Sequence, residues 1–324
     1  MLRFRIARLL SALIVTSAIV AVLAALAAAS GFAQTAAPPA ASASPPAASA
    51  AAPAAPAPAP SAAPGRMLVA CAPGYPGTTA QAQPTMDRFA AAAEKEAGWK
   101  QGNLGAIYHE TLEGGVERLA APDAVLALVT LPFYLETADR LGLKPRLQVV
   151  QESGAMQIWC LVAKKGSVTA PAALDGWELT GGVGFSKNFV RGLVVGEWGA
   201  LPETARITFA TAPLTALRRA ASGEKTAVIL EGSAATALNG LPFGTNLEIV
   251  ARSKPLPGSL LCTVGSRLPA KEADKMIKAL SGLHRTPAGA AELKAIQVTR
   301  FEPIDRDLLE NARRAFAGPP GASR

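Results

Sequence analysis

Histidine is nearly missing from this chain of 324 residues, which has only His109 and His284, and cysteine is scarce, with Cys71, Cys160 and Cys262 far apart in sequence. No zinc-ligand spacing can be assembled from these five positions. His109 follows an apolar run and precedes Glu110, while His284 ends a helical pattern where a cationic side chain suits the helix dipole. Neither accompanies a nucleophile, so the base that hydrolytic or transfer chemistry requires is not in view. A Gly-rich phosphate loop of the nucleotide-binding type is missing as well. The chain is therefore not expected to be an enzyme or to carry a cofactor. Nor does it hold a basic cluster interleaved with aromatics, which excludes nucleic acid as a partner. The formal net charge of +8 includes three arginines at the N-terminus, and the rest is a mild excess spread along the chain. Such a field favours small anions.

What is present begins with a leader. Arg3, Arg5 and Arg8 precede an uncharged run from Leu9 to Ala33 rich in Ala, Leu, Val and Ile. That is an export or membrane signal. Small residues around Ala33 suit cleavage, yet the run is also long enough to span a bilayer, as about 20 apolar residues do. Residues 1–33 thus read as a cleaved signal peptide or an uncleaved anchor, and the remainder is expected in the periplasm in either case. Residues 34–65 are almost entirely Ala, Pro and Ser without charge, a semi-extended linker. Three cysteines in an exported chain allow one disulfide and one free thiol. Leu68-Val69-Ala70-Cys71 looks like a lipoprotein box, but the linker separates it from the apolar run, so Cys71 is read as a strand residue.

The globular region, about 66–318, alternates apolar runs with amphipathic helical patterns and is α/β. Its organising stretch is Pro122–Tyr134. The unbroken apolar run Ala124–Val129 predicts a strand buried on both faces. Thr130 can cap the next helix, and Pro132 is tolerated in its first turn because its missing N–H would have no intrahelical partner. In open α/β sheets ligands collect at such strand ends. Further along, strands are expected at 67–72, 104–108, 147–151, 157–163, 178–183, 206–209, 226–230, 247–251 and 260–265. Helices are expected at 84–97, 111–120, 186–198, 213–222, 269–283, 287–296 and 305–316. One set of βα units precedes Ala163, a second lies between Lys164 and Pro255, and a helical tail must pack back on something.

Four segments carry a specific likeness: PDAVLALVTLPFYLETADRLGLKP, QIWCLVAKKGSVTAPAALDGWELTGGVGFS, RSKPLPGSLLCTVGSRLP and LSGLHRTPAGAAELKAIQVTRFEPID, the last ending in an F-x-P-[IV]-D pattern. With them the chain resembles the periplasmic phosphate/phosphite/phosphonate-binding protein family, substrate-binding components of ABC transporters, over nearly all of residues 66–306. The resemblance implies a two-lobe type II periplasmic-binding-protein fold, each lobe a mixed sheet flanked by helices with the ligand cleft between them. Lobe I would comprise residues 66–160 and 260–318, lobe II residues 161–259, and 319–324 a flexible tail. It further implies a monomer that binds a small oxyanion, closes its lobes and presents the solute to an ABC permease, with the membrane touched only through the N-terminal segment. A membrane-tethered sensor or scaffold that keeps the fold without a transport ligand is the alternative.

The resemblance places ligand contacts at Tyr75, Thr78 and Thr79 in the first loop, Thr130, Phe133 and Tyr134 after the central strand, Ser186, Lys187 and Asn188 at a helix start, and Glu231 after a buried strand. Thr130 and Ser186 also read as plain helix caps, Lys187 as a solvated lysine, and Glu231 as either a cleft carboxylate for an amine or a first-turn acid. One departure stands out. The phosphate-gripping loop of the family offers several consecutive hydroxyls, whereas Phe185-Ser186-Lys187-Asn188-Phe189 offers one. That leaves another oxyanion, an amine-bearing solute or no ligand in play. Cys160 and Cys262 match crossover strands that run side by side, which allows a disulfide at the hinge, or two small buried side chains.

Overall fold

The computed structural model describes residues 65–318; the leader, most of the linker and the tail from 319 lie outside the described residues. The first sheet takes β1 (Arg66–Cys71), β2 (Leu104–His109), β3 (Ala124–Thr130), β4 (Leu143–Val150), β12 (Ser259–Val264) and β13 (Arg300–Pro303), in the order β13-β4-β12-β3-β1-β2. β1 runs parallel to β2 and β3, and β12 is antiparallel to β3 and β4. β3 is therefore interior, and all but one of its seven residues are buried, as its unbroken apolar run predicts. Alternation decides its two faces. Leu68, Ala70 and Leu126 pack under α1 (Thr79–Ala97) and α6 (Ala270–Gly282), while Val69, Cys71, Ala127 and Val129 pack under α2 (Leu112–Ala120) and α3 (Leu131–Leu141).

The second sheet takes β6 (Trp159–Lys164), β7 (Glu178–Gly181), β8 (Arg206–Phe209), β9 (Thr226–Glu231) and β10 (Leu247–Arg252), in the order β10-β6-β9-β7-β8. α4 (Pro213–Ser222) covers the face of Cys160, Val162, Val228 and Leu230, and the short α5 (Gly232–Thr236) follows β9. The opposite face, with Trp159, Leu161, Leu179 and Ile229, joins Phe133, Tyr134 and Phe189 in one core that runs through both lobes. Between the sheets the chain crosses twice, at β5 (Met156–Gln157) and β11 (Leu256–Pro257), which pair antiparallel as a short ribbon.

The last helix, α8 (Arg306–Ala317), straps the lobes together. Asp305 caps it by accepting the Leu308 N–H at 3.0 Å. Arg313 donates to the Tyr134 hydroxyl and to Asp139 on α3, each at 2.9 Å, while the end of α8 lies on Gly192 of lobe II. A Cβ at Gly192 would sit 2.3 Å from the Ala315 carbonyl oxygen, so glycine is what permits this approach.

Several expectations need correction. α1 starts at Thr79 rather than Pro84, because Thr78 and Gln81 form a reciprocal capping box that initiates it upstream of the proline. The helix expected over 186–198 is only Lys187–Phe189, followed by a π-helical turn at Val190–Val194, where the chain bends beneath α8. Cys160 and Cys262 are not bonded: all three cysteines are free and buried. β12 is inserted between β3 and β4 while β6 belongs to the other sheet, and the side-by-side crossover is made by β5 and β11.

Candidate functional site

The two lobes meet where strands of both sheets end. The loop after β1 carries Gly74, with a left-handed φ of +89°, and a Cβ there would lie 2.5 Å from the Gly182 carbonyl oxygen at the end of β7. Backbone touches backbone at this point. Beside it, the Tyr75 hydroxyl from lobe I donates to Glu231 Oε1 from lobe II. Gln157, on the β5 strand of the crossing ribbon, donates its Nε2 to Gln151 Oε1 at 3.2 Å and to Glu231 Oε2 at 3.4 Å. A Cβ at Gly258 would fall 2.9 Å from Gln157 Cδ, so the glycine leaves the room in which this amide lies.

This cluster is rich in acceptors. With Gln157 Nε2 facing two oxygens, its Oε1 is buried without a partner, and among the described residues Glu231 enters no ion pair. Burial raises the Glu231 carboxyl above its ordinary value, with the Tyr75 hydrogen bond opposing part of that rise. Burial first, and then the Glu231 charge, pushes the Tyr75 hydroxyl up, so it stays a donor. A raised carboxyl binds its proton more tightly in the folded chain, so stability falls as the pH rises from the ordinary carboxyl value to the raised folded value, and the full penalty remains above it. Glu231→Gln should therefore melt higher than the parent at neutral pH. Melting curves taken against pH should show that gain shrinking as the pH falls toward the ordinary carboxyl value of 4.5.

The structure brings three of the expected residues to this region, Tyr75, Glu231 and Thr130. Thr130 ends β3 with its hydroxyl buried and unpartnered, making no cap bond to α3. The others are engaged elsewhere. Thr78 caps α1, and the Thr79 hydroxyl donates to Glu110 at 2.8 Å. Phe133 is wholly buried in the core, and Tyr134 is buried against Arg313. The Ser186 hydroxyl donates at 2.6 Å to Glu136 on α3, tying lobe II to lobe I, while Lys187 and Asn188 are exposed. Gln151 and Gln157 were missed. Their signal was faint: two glutamines flanking the crossing, in a stretch that otherwise reads only as strand.

The comparisons agree on architecture. Residues 201–309 match the family model for the periplasmic substrate-binding protein of phosphonate ABC transporters. That family consists of transport components outside the cytoplasm rather than enzymes. No relative was found among curated proteins. Of solved structures, XAC2383 from Xanthomonas citri bound to chloride ion has 14% identity and a TM-score of 0.62, covering 78% of this chain and 98% of that one. A binding protein component of an ABC phosphonate transporter from Pseudomonas aeruginosa has 14% identity and a TM-score of 0.56, covering 77% and 85%. PhnD1 from Prochlorococcus marinus in complex with methylphosphonate has 13% identity and a TM-score of 0.52, covering 78% and 97%. The chain thus has the two-lobe fold of periplasmic binding proteins and, over residues 201–309, matches the substrate-binding protein family of phosphonate ABC transporters.

Proposed function

We propose that this chain is an extracytoplasmic solute-binding protein that takes a small molecule between its lobes and presents it to an ABC permease. The observation that carries the reading is the cluster of Tyr75, Gln157 and Glu231, because it draws on both lobes and on the ribbon about which they would move. Its chemistry argues for a solute with a donor. A half-buried carboxylate without a cation attracts an ammonium or guanidinium group and repels a bare oxyanion. The turn that would grip phosphate supports the same conclusion, since Ser186 is spent on Glu136 and Lys187 and Asn188 face outward. An amine-bearing solute, including one that also carries an anionic group, therefore fits better than phosphate or methylphosphonate.

The test is a thermal-shift screen of the full chain with aminoethylphosphonate, amino acids, simple amines, methylphosphonate, phosphate and sulfate. Binding to the folded state stabilises by mass action, by about 2.7 kcal/mol at a hundredfold excess over the dissociation constant. Amine-bearing compounds should raise the melting temperature. Glu231→Gln should weaken them roughly 10- to 150-fold, the equivalent of a charged hydrogen bond of about 1.5–3 kcal/mol. A shift with phosphate or methylphosphonate that ignores Glu231→Gln would return the reading to an oxyanion. A second reading, a tethered sensor or scaffold, is favoured by the direct contacts between lobes at Gly74 and Gly182, at Ser186 and Glu136, and along α8. It predicts no response to any solute.

A further inference from the structure

Behind Tyr75, away from lobe II, lies a cavity of about 360 Å³ in lobe I, between the first turns of α1 and the rim of the first sheet. Its size is at the lower end of small-molecule pockets, which hold roughly 300–1,000 Å³. Much of its wall is apolar: Met86 from α1, Leu128 from β3, Val149 from β4, and Ile296 and Val298 after α7 (Pro287–Ala295). Tyr75 and Gln151 line it as well, and both belong to the hydrogen-bonded cluster around Glu231, so cavity and cluster share a boundary. Thr130 supplies a second observation. It lines the cavity, is only 6% exposed, and its hydroxyl has no hydrogen-bond partner. A buried hydroxyl left without a hydrogen-bond partner is destabilising. A ligand atom that meets it recovers that cost. Gln297, also on the wall, has a φ of +59° because it closes α7, its N–H bonding the Lys294 carbonyl and that of Val298 the Leu293 carbonyl.

We infer that the lobe I cavity receives the apolar body of the solute, so that the ligand class is an organic amine with a hydrocarbon part of several carbons and a polar atom that meets Thr130. This deepens the proposed function and rests on its placement of the amine at Glu231. The head is held across the lobes by Glu231 and Gln157, Tyr75 stands at the divide, and the body enters lobe I beneath α1. Selectivity against small phosphonates then comes from two sources, the repulsion at Glu231 and the apolar surface that a methyl group leaves unfilled.

Calorimetric titration of the full chain with the n-alkylamines from methyl to octyl, and with the matching n-alkylphosphonates, tests the inference. Amine affinity should rise about fourfold per methylene, the ratio that corresponds to ~0.8 kcal/mol per buried CH₂, and level off once the cavity is full. Ala82→Phe, which extends a side chain from α1 into the cavity, should flatten the rise. Ile296→Ala, which enlarges the cavity, should move the plateau to longer chains, so the answer does not depend on either variant alone. Short amines that bind in a series without slope would overturn the cavity assignment and leave the Glu231 reading standing. A slope that neither variant alters would overturn it too. A slope confined to the phosphonates would overturn the amine class, and no binding at millimolar concentration in either series would overturn both this inference and the reading beneath it.

Discussion

Phe189→Ala is expected to destabilise the folded chain by about 3–5 kcal/mol, the range for removing a buried aromatic side chain. For a domain of this size that is a fall in melting temperature of roughly 6–20 °C. Phe189 has no exposed surface and meets the Trp159 ring edge-on, with centroids 4.9 Å apart and planes at 83°. Both rings belong to the core that joins the lobes, so the cavity left behind would open where neither sheet can collapse to fill it. Phe189→Leu keeps most of the volume and should cost less than about 1.5 kcal/mol. Denaturant titration of the two variants separates the contributions. Equal small losses would mean that the side chain does not anchor the lobes. The same ring explains the neighbouring loop: with Phe189 turned inward, Lys187 and Asn188 are carried to the outside.

Gly115→Ala is the second large effect, although helix propensity alone argues the opposite. Alanine inside a helix is favoured over glycine by about 1 kcal/mol. Here the new Cβ would lie 2.1 Å from Cys71 Sγ, 3.0 Å from Cys71 Cβ and 3.2 Å from Phe133 Cε2, all of them buried. Overpacking of a filled core costs about 1–3 kcal/mol and occasionally more. Because Cys71 sits in the parallel pairing of β1 with both β2 and β3, it has little freedom to retreat. A net loss of about 2 kcal/mol is expected, near 4–8 °C in melting temperature. Adding Cys71→Ala removes the worst clash, so the double variant should be less destabilised than the sum of the two single ones. Strict additivity would show that α2 moves away instead. Cys71 itself should resist alkylation in the native state, since burial first and nearby carboxylates second hold its thiol protonated.

The elements most legible in the sequence are those governed by local chemistry. Ala124–Thr130 could only be an interior strand, because every residue between its flanking turns but the last is apolar, and Pro132 could only sit in a first helical turn. Glu231 was legible as a cleft carboxylate or a first-turn acid; in the structure its side chain makes no cap bond and reaches Tyr75 and Gln157. The family resemblance offered Thr78 and Thr79 as ligand hydroxyls. In the structure Thr78 forms a capping box with nearby Gln81, while the Thr79 hydroxyl reaches Glu110, 31 residues along the chain.

The sequence by itself determined the α/β alternation, the buried central strand and the two-lobe rhythm. Each of these depends on residues a few positions apart, and periodicity and capping act over that range. Only the tertiary structure decided which polar groups face one another. Tyr75 and Glu231 are 156 residues apart in the chain, and Ser186 finds Glu136 across the lobes rather than the cleft. It also decided that Cys160 and Cys262 remain thiols in separate sheets, because strand order, which sets their neighbours, is a property of long-range pairing. The cavity beside the cluster has the same origin: its walls come from strands, helices and loops spread between residues 70 and 298, and no local pattern encodes the space they enclose.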